Sequence, residues 1–150
     1  MNAHQIDHQR PIARCTVRGG KPDDLAYVVD SWTKHARTHK HMRDAVQHVR
    51  ALLGRSGSRL FVAHVPDEPD AILGWAVLED SGGPWSRPVV HYVYCRASGR
   101  RQGVARALLG ELASHAVDYS SAWPSGFAAP KTWAFNAARA KTATESSEGT

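Results

Sequence analysis

Residues Val89–Leu112 read VVHYVYCRASGRRQGVARALLGEL, and this stretch decides the fold. Val89–Arg96 has the β-branched and aromatic content of a strand, and its apolar side chains on both parities predict that both faces are covered. Ala97–Gly103 is short, polar and basic, and from Val104 the apolar residues recur at helical spacing. Because turn amides and first-turn N–H groups have no intrahelical partner, this arrangement predicts a phosphate-holding turn.

The basic turn within this stretch carries a family resemblance. Arg100–Ala105 reads RRQGVA and resembles the R/Q-x-x-G-x-G/A signature of the Gcn5-related N-acetyltransferases, the GNAT superfamily. In that family the signature follows a strand in which a valine holds the position of Cys95 here. The signature is short, but its place between a predicted strand and a predicted helix makes it specific. The chain is identified as a member of this superfamily with a reduced C-terminus.

Length and composition indicate one soluble globular domain. The chain has 150 residues, of which 42% are hydrophobic and 22% charged. No apolar run approaches the ~20 residues of a membrane span, and the start lacks the apolar core of a signal peptide, so a cytoplasmic protein is expected. The two cysteines, Cys15 and Cys95, do not predict a disulfide framework. The net charge of +5 suits an anionic partner, but no nucleic-acid-binding motif is present, so nucleic acid is not the predicted partner.

The order of the predicted elements indicates an α/β fold with a GNAT-like mixed sheet. The first elements are a strand at Arg14–Arg18 and a helix capped by Asp23 or Asp24, which ends near Thr38 and has an apolar face of Leu25, Val28, Val29 and Trp32. A second helix begins at Met42 and is stopped by Gly54. Then follow strands at Ser58–Val65, Ala71–Leu78 and Val89–Arg96, a helix from Val104 that fades near Tyr119, and a strand at Thr132–Asn136. This order, β-α-α-β-β-β-α-β, is that of the GNAT core. It predicts an acyl-CoA-binding domain over residues 13–136, after a flexible arm at residues 1–12.

The C-terminal end departs from the family pattern. Residues 137–150 have almost no apolar content beyond alanine and predict a disordered tail. A GNAT domain continues after its fifth strand with a helix and usually a β-hairpin, so both are predicted to be truncated here. The general-acid tyrosine that this helix usually carries then has no counterpart. An uncovered sheet edge favours a homodimer.

The resemblance implies acetyl-CoA as cosubstrate and assigns its contacts residue by residue. The backbone N–H of Val93 corresponds to the donor that polarises the thioester carbonyl. The main chain of Cys95 corresponds to the position that pairs with the pantetheine arm like an added strand. The pyrophosphate cradle corresponds to Arg100, Arg101, Gln102, Gly103, Val104 and Ala105. Arg106 either reaches a phosphate or is an exposed helix residue.

Acetyl transfer to an amine also needs a group that takes up the amine proton. Histone-modifying relatives place a glutamate six residues before the valine position, which is Val89 here, so that assignment fails. His91 lies on the same strand parity, and its imidazole suits proton transfer near neutral pH. Glu79 and Asp80, at the end of the preceding strand, are the carboxylate alternatives. Ordered water serves this role in many relatives.

Other reactive residue types in the chain have competing explanations. Tyr92 and Tyr94 are candidates to protonate the leaving thiolate, with packing in the core or cleft wall as the alternative. Cys95 lies mid-strand among apolar neighbours, which favours a buried inert thiol. The histidines at 35, 39 and 41 have helical spacing, but no cysteine or carboxylate pattern completes a site, so no metal is predicted.

These features predict an N-acetyltransferase that moves an acetyl group from acetyl-CoA directly to an amine. The acceptor is a small-molecule amine, an aminoglycoside-like compound, a protein lysine or an N-terminus, and no motif distinguishes between them. The alternative is a catalytically weak or silent GNAT-fold module. Such a module would bind CoA or a protein partner as an inhibitor or regulator.

Overall fold

A mixed sheet of six strands forms the centre of the described fold. The computed structural model describes residues 15–36, 42–80, 87–97, 103–110, 117–120 and 133–140. The elements are β1 (Thr16–Gly19), α1 (Leu25–Ala36), α2 (Met42–Leu53), β2 (Ser58–Val65), β3 (Glu68–Glu79), β4 (Val89–Cys95), α3 (Val104–Leu109), β5 (Val117–Tyr119) and β6 (Trp133–Phe135). The strands lie side by side in sequence order. Pairing is antiparallel from β1 to β4 and parallel from β4 to β6.

A buried carboxylate fixes the start of the first helix. Asp24 ends a 3-10 turn that leads into α1, and its carboxylate accepts a hydrogen bond from the Lys21 N–H at 2.7 Å. It also accepts two bonds from the Arg18 guanidinium, at 2.7 and 2.9 Å, and these bonds hold the pKa of Asp24 below its ordinary value. The helical segment therefore begins in this 3-10 turn with Lys21 at its N-cap, and Asp24 stabilises the turn from its third position and not as the predicted cap. Leu25, predicted on the apolar face, is exposed.

The face of the sheet that carries α1 and α2 is closed by aromatic side chains. Trp32 of α1 lies 5.4 Å from Trp75 of β3 and 5.8 Å from Tyr92 of β4, measured between ring centroids. The Trp75 indole N–H donates to Ser31 Oγ at 2.8 Å. Val28 and Val29 of the predicted apolar face pack into this cluster, and so do Val49 and Leu52 of α2. Both helices are therefore confirmed as core elements.

The opposite face of the sheet carries α3. Val104 and Leu108 pack there against Ala63 and Ala76. Gly74 allows this close approach, since a Cβ at its position would lie 2.5 Å from the Tyr94 carbonyl oxygen and 2.9 Å from Val104 Cγ1. A side chain at position 74 would therefore clash with β4 and with the first turn of α3.

The structure corrects the predicted turn between the hairpin strands. β3 begins at Glu68 and not at Ala71, because Asp67 adopts a left-handed conformation (φ 66°) and so turns the chain within two residues. Aspartate tolerates this conformation better than most residues. The strands consequently pair as far as Val65 and Glu68.

The structure also corrects the predicted length of the third helix. α3 ends at Leu109, where Gly110 takes a positive φ of 56°, and does not continue to Tyr119. Residues Val117–Tyr119 form β5, which the predicted order lacked. The predicted fifth strand is therefore β6.

Parts of the chain lie outside this description. Residues 1–14 and 141–150 are among them, and with them the predicted arm and most of the predicted tail. The first residues of that tail, Ala137–Ala140, form a 3-10 turn. Among the helices that the structure describes, none has the length and apolar content needed to cross a membrane.

Candidate active site

The strand β4 has described partners on both sides only at its beginning. β5 pairs with Val89 and Val90, and the Ser120 N–H donates to the Val90 carbonyl at 3.2 Å. Toward β3 the register shifts, since Val77 lies opposite Tyr92 while the next residue of β3 lies opposite Val90. His91 is thus an extra residue, a β-bulge. Beyond this bulge the described residues contain no further pairing of β4 with β5.

The bulge decides which main-chain groups of β4 face β3. The Arg96 N–H donates to the Leu73 carbonyl at 2.8 Å. Antiparallel partners exchange such bonds at alternate positions, so alternate residues of β4 also face β3. Val93 and Cys95 are the intervening residues, and their N–H and C=O groups are directed away from β3. They are directed toward the side of β4 on which β5 lies.

Two catalytic candidates from separate parts of the sequence are in contact. His91 Nε2 lies 3.1 Å from Glu79 Oε1, and His91 Nδ1 lies 2.7 Å from Ser120 Oγ. The histidine has no exposed surface, whereas the Glu79 side chain is 15% exposed. The three residues join the ends of β3, β4 and β5. We call Glu79, His91 and Ser120 the junction triad.

Arginine side chains surround the junction triad. Arg55 donates to Glu79 Oε1 at 3.1 Å and to the Arg139 carbonyl at 2.8 Å. Arg139 in turn donates to Asp118 Oδ2 at 3.1 Å, and Arg87 Nε lies 3.6 Å from Asp118 Oδ1. These pairs tie the loop after α2 to β5 and to the C-terminal 3-10 turn.

The charge states within the triad follow from burial and pairing. Burial lowers the pKa of His91 and outweighs the attraction of Glu79, which would raise it. Burial alone would raise the pKa of Glu79, but hydrogen bonds from His91 and Arg55 outweigh it, and the pKa is lowered. At neutral pH the triad therefore holds a neutral imidazole beside an ionised carboxylate. That is the state required of a proton acceptor.

The other proton-transfer candidates lie apart from the triad. Tyr92 is buried in the aromatic cluster, 5.6 Å from Trp75 between ring centroids. Tyr94 is half-buried and meets Tyr27 edge-to-face at 6.3 Å, and burial followed by the proximity of Tyr94 raises the pKa of Tyr27 to about 12. Asp80 is exposed and pairs with Arg59 at 3.0 Å. Packing is the role that this placement favours for Tyr92.

The predicted cofactor turn is described only at its end. Arg100, Arg101 and Gln102 lie outside the described residues. Gly103 adopts φ 78° and its carbonyl accepts the Ala107 N–H at 2.9 Å. The remaining cofactor-binding candidates lie at the start of α3, where Val104 is buried, Ala105 is half-buried and Arg106 is exposed.

The sequence did not indicate Ser120, Arg55, Asp118 or Arg139. No motif marks them, because they meet only through the register of β5 against β4 and the return of the chain at residues 137–140.

Histidine, cysteine and carboxylate side chains are the usual metal ligands in proteins. Within the described ranges no group of three His, Cys, Asp or Glu side chains is placed to hold a metal ion, and His39 and His41 lie outside them.

The fold has counterparts among solved structures. No protein-family model and no curated protein matches the sequence. A probable acetyltransferase superposes with a TM-score of 0.55 at 19% identity, over 74% of this chain and 82% of that one. The aminoglycoside antibiotic 6'-N-acetyltransferase of Acinetobacter baumannii gives 0.53 at 11% identity, over 78% and 92%. A GNAT family acetyltransferase of Staphylococcus aureus gives 0.50 at 11% identity, over 77% and 93%.

These similarities establish the class of fold. The chain has the mixed α/β fold of acetyltransferases. More particularly, its fold is that of the GNAT superfamily.

Proposed function

We propose that the chain transfers an acetyl group from acetyl-CoA directly to an amine. One observation carries this proposal: the bulge at His91 turns the N–H and C=O groups of Val93 away from β3, two residues from an imidazole that lies 3.1 Å from the Glu79 carboxylate. This edge of β4 suits an extended thioester arm, and the imidazole suits proton uptake. Neither cysteine forms a disulfide, which fits a reducing cytoplasm, where we place the activity.

The edge beyond the bulge supplies the contacts that acetyl-CoA requires. The N–H of Val93 is our proposed donor to the thioester carbonyl, where negative charge develops during attack. The main chain of Cys95 pairs with the pantetheine amides as an added strand does. The turn at residues 100–105 holds the pyrophosphate, with the exposed Arg106 as a further phosphate ligand.

The junction triad supplies the proton acceptor. His91 is the base and Glu79 the carboxylate that orients it. An amine is the acceptor class, and its identity depends on loops for which the sequence shows no motif. Binding of acetyl-CoA without transfer to any amine would instead indicate the silent binding module.

Thermal unfolding with acetyl-CoA, with CoA and with neither tests the cosubstrate. A ligand that binds only the native state stabilises it by about 2.7 kcal/mol at 100 times its Kd. Gly103→Ala should abolish this shift, because its left-handed φ of 78° disfavours a side chain next to the phosphates. Gly110→Ala is the matched control, since it strains a left-handed glycine at the other end of α3, where a Cβ has open space.

Release of the CoA thiol with a panel of amines then tests catalysis. The panel contains a polyamine, an aminoglycoside and a peptide with a free lysine and N-terminus. No thermal shift with either CoA compound would overturn the proposal. A shift without thiol release from any amine would replace the enzyme with the binding module.

We also propose a homodimer that covers the edge of the sheet. β6 is the outermost described strand on its side, and Phe135 on it is exposed. Light scattering at high concentration should give twice the chain mass, and Phe135→Ser should lower it. A monomeric mass for the unaltered chain would exclude this assembly.

A further inference from the structure

The enclosed position of His91 limits how it can act. Its side chain has no exposed surface, and both ring nitrogens lie within hydrogen-bonding distance of another side chain. An acceptor amine therefore cannot approach either nitrogen. If the imidazole takes up a proton, that proton must come through one of its two partners, Glu79 or Ser120.

The hydrogen bonds of the triad determine which atoms donate and which accept along the chain from Ser120 to Glu79. Glu79 Oε1 also accepts a bond from Arg55, so this carboxylate acts as an acceptor toward both partners. His91 Nε2 then carries the ring proton, and Nδ1 holds the lone pair. The hydroxyl of Ser120 consequently donates to Nδ1 at 2.7 Å. This chain, hydroxyl to imidazole to carboxylate, has the polarity that activates a serine hydroxyl in hydrolases.

Ser120 lies on the side of β4 where the reaction is proposed. Its N–H donates to the Val90 carbonyl, so Ser120 lies on the side of β4 away from β3. The Val93 N–H is directed to the same side, away from β3. Glu79 belongs to β3, on the other side of β4, and its Oε1 accepts bonds from both His91 and Arg55. Of the two routes to His91, the one through Ser120 lies on the side of β4 to which the Val93 N–H is directed.

We propose that Ser120 is a catalytic residue of the acetyl transfer, the hydroxyl that relays the proton of the acceptor amine to His91. The proposal rests on the function proposed above. Ser120 Oγ accepts a hydrogen bond from the attacking amine, takes up its proton, and gives its own proton to His91 Nδ1. The imidazolium that forms is stabilised by the Glu79 carboxylate.

The return of the proton completes the balance. As the bond between the acetyl carbon and sulfur breaks, His91 gives the proton back through Ser120 to the departing thiolate. The amine has then lost one proton and gained the acetyl group, the thiol of CoA has gained that proton, and the triad is restored. No separate acid is required.

Arg55 is a positioning residue for this relay. Its bond to Glu79 keeps the carboxylate ionised and aimed at Nε2, and this in turn keeps the lone pair on Nδ1. The charged groups that face the imidazole are Glu79 of β3, Arg55 after α2 and Arg139 of the C-terminal 3-10 turn. The two arginines oppose protonation of His91, and Glu79 favours it.

The first test examines the substrate-free protein and does not depend on turnover. Ring ¹⁵N signals of His91, assigned by comparison with His91→Gln, should show the tautomer protonated at Nε2 at pH 7. In Ser120→Ala the Nδ1 signal should shift as it loses its hydrogen bond, while Nε2 remains protonated. A ring protonated at Nδ1, in the unaltered protein, would overturn the relay.

The second test compares two buried serines in steady-state transfer from acetyl-CoA to the most active amine of the panel. Ser120→Ala should lower kcat by about 100-fold, the lower end of the usual range for lost acid–base catalysis, with an unchanged KM for acetyl-CoA. Ser31→Ala is the matched control, because both serines are 5% exposed and both bond a ring nitrogen. Ser31 lies in the core and should keep its kcat.

The outcomes separate this inference from the function beneath it. A Ser120→Ala variant with unchanged kcat, beside an active parent, overturns the relay alone. A parent that binds acetyl-CoA but acetylates no amine overturns the proposed transferase, and the relay with it. If Ser120→Ala is too unstable to assay, the tautomer measurement on the unaltered protein still decides the direction of the hydrogen bonds in the triad.

Discussion

The two halves of the sheet are held together by different forces. The antiparallel half, β1 to β4 with α1 and α2, closes on apolar and aromatic side chains such as Trp32 and Trp75. The parallel half, from β4 to β6, has its own small apolar cluster but adds a series of ion pairs around Asp118 and Glu79. The first half buries large aromatic side chains, and the second brings ionisable groups together where the ends of β3, β4 and β5 meet. Polar groups placed at a junction of rigid strands are held in position for chemistry.

The largest effect expected on stability is in the antiparallel half. Trp75→Ala should lower the free energy of unfolding by about 3–5 kcal/mol, since it removes a buried indole and leaves a cavity. It also leaves Ser31 Oγ without the indole N–H. Urea denaturation at two salt concentrations measures this loss, which should be nearly independent of salt. A loss below 1 kcal/mol would show that the aromatic cluster does not stabilise this half.

A smaller loss of stability is expected from the ion pairs of the parallel half. Asp118→Asn should cost about 1–3 kcal/mol, because Asp118 is 9% exposed and bonds Arg139 at 3.1 Å. Hydrogen exchange should increase mainly in β5 and β6, with the amides of β2 unaffected. Equal increases in both halves would mean that the sheet opens as one unit and that the contrast between them is wrong.

The same contrast explains what the sequence could predict. The helices Leu25–Ala36 and Met42–Leu53 and the strands β2 and β4 follow local periodicity, and their predictions are confirmed. The sequence does not predict β5, because Gly110 ends the helix seven residues before Val117, while the apolar spacing alone favours a longer helix.

The candidate site shows the same division between local and long-range information. His91 and Glu79 could each be proposed from its position in a strand. Their contact could not be predicted, because it depends on the bulge. Ser120 and Arg55 carry no local signal at all, since they reach the triad through strand register and a long-range hydrogen bond. The type of a residue indicates its chemical role only when its neighbours in the fold are known.

The junction triad should make the free energy of unfolding depend on pH. This change should be smaller than the loss caused by Asp118→Asn. The pKa of Glu79 and that of His91 are both lowered in the folded state, so folding is favoured above their unfolded values and loses this contribution as pH falls. Stability should therefore decrease from pH 7 toward pH 4. His91→Gln should flatten the upper part of this decrease and Glu79→Gln the lower part. Unfolding free energies measured across this range test both, and a curve unchanged by either variant would contradict the assignment.

The smallest effect is expected from an ion pair that resembles those of the parallel half only in its distance. Asp80 lies next to Glu79 in sequence and pairs with Arg59 at 3.0 Å, but its side chain is 64% exposed. Water screens this pair, so Asp80→Asn should change the free energy of unfolding by less than about 0.5 kcal/mol. Asp118→Asn is its matched comparison, since both variants remove one carboxylate charge from an arginine. If the two variants lowered the free energy of unfolding equally, burial would not distinguish the ion pairs of the junction from those of the surface. The ion pairs around the triad would then not be what holds it in place.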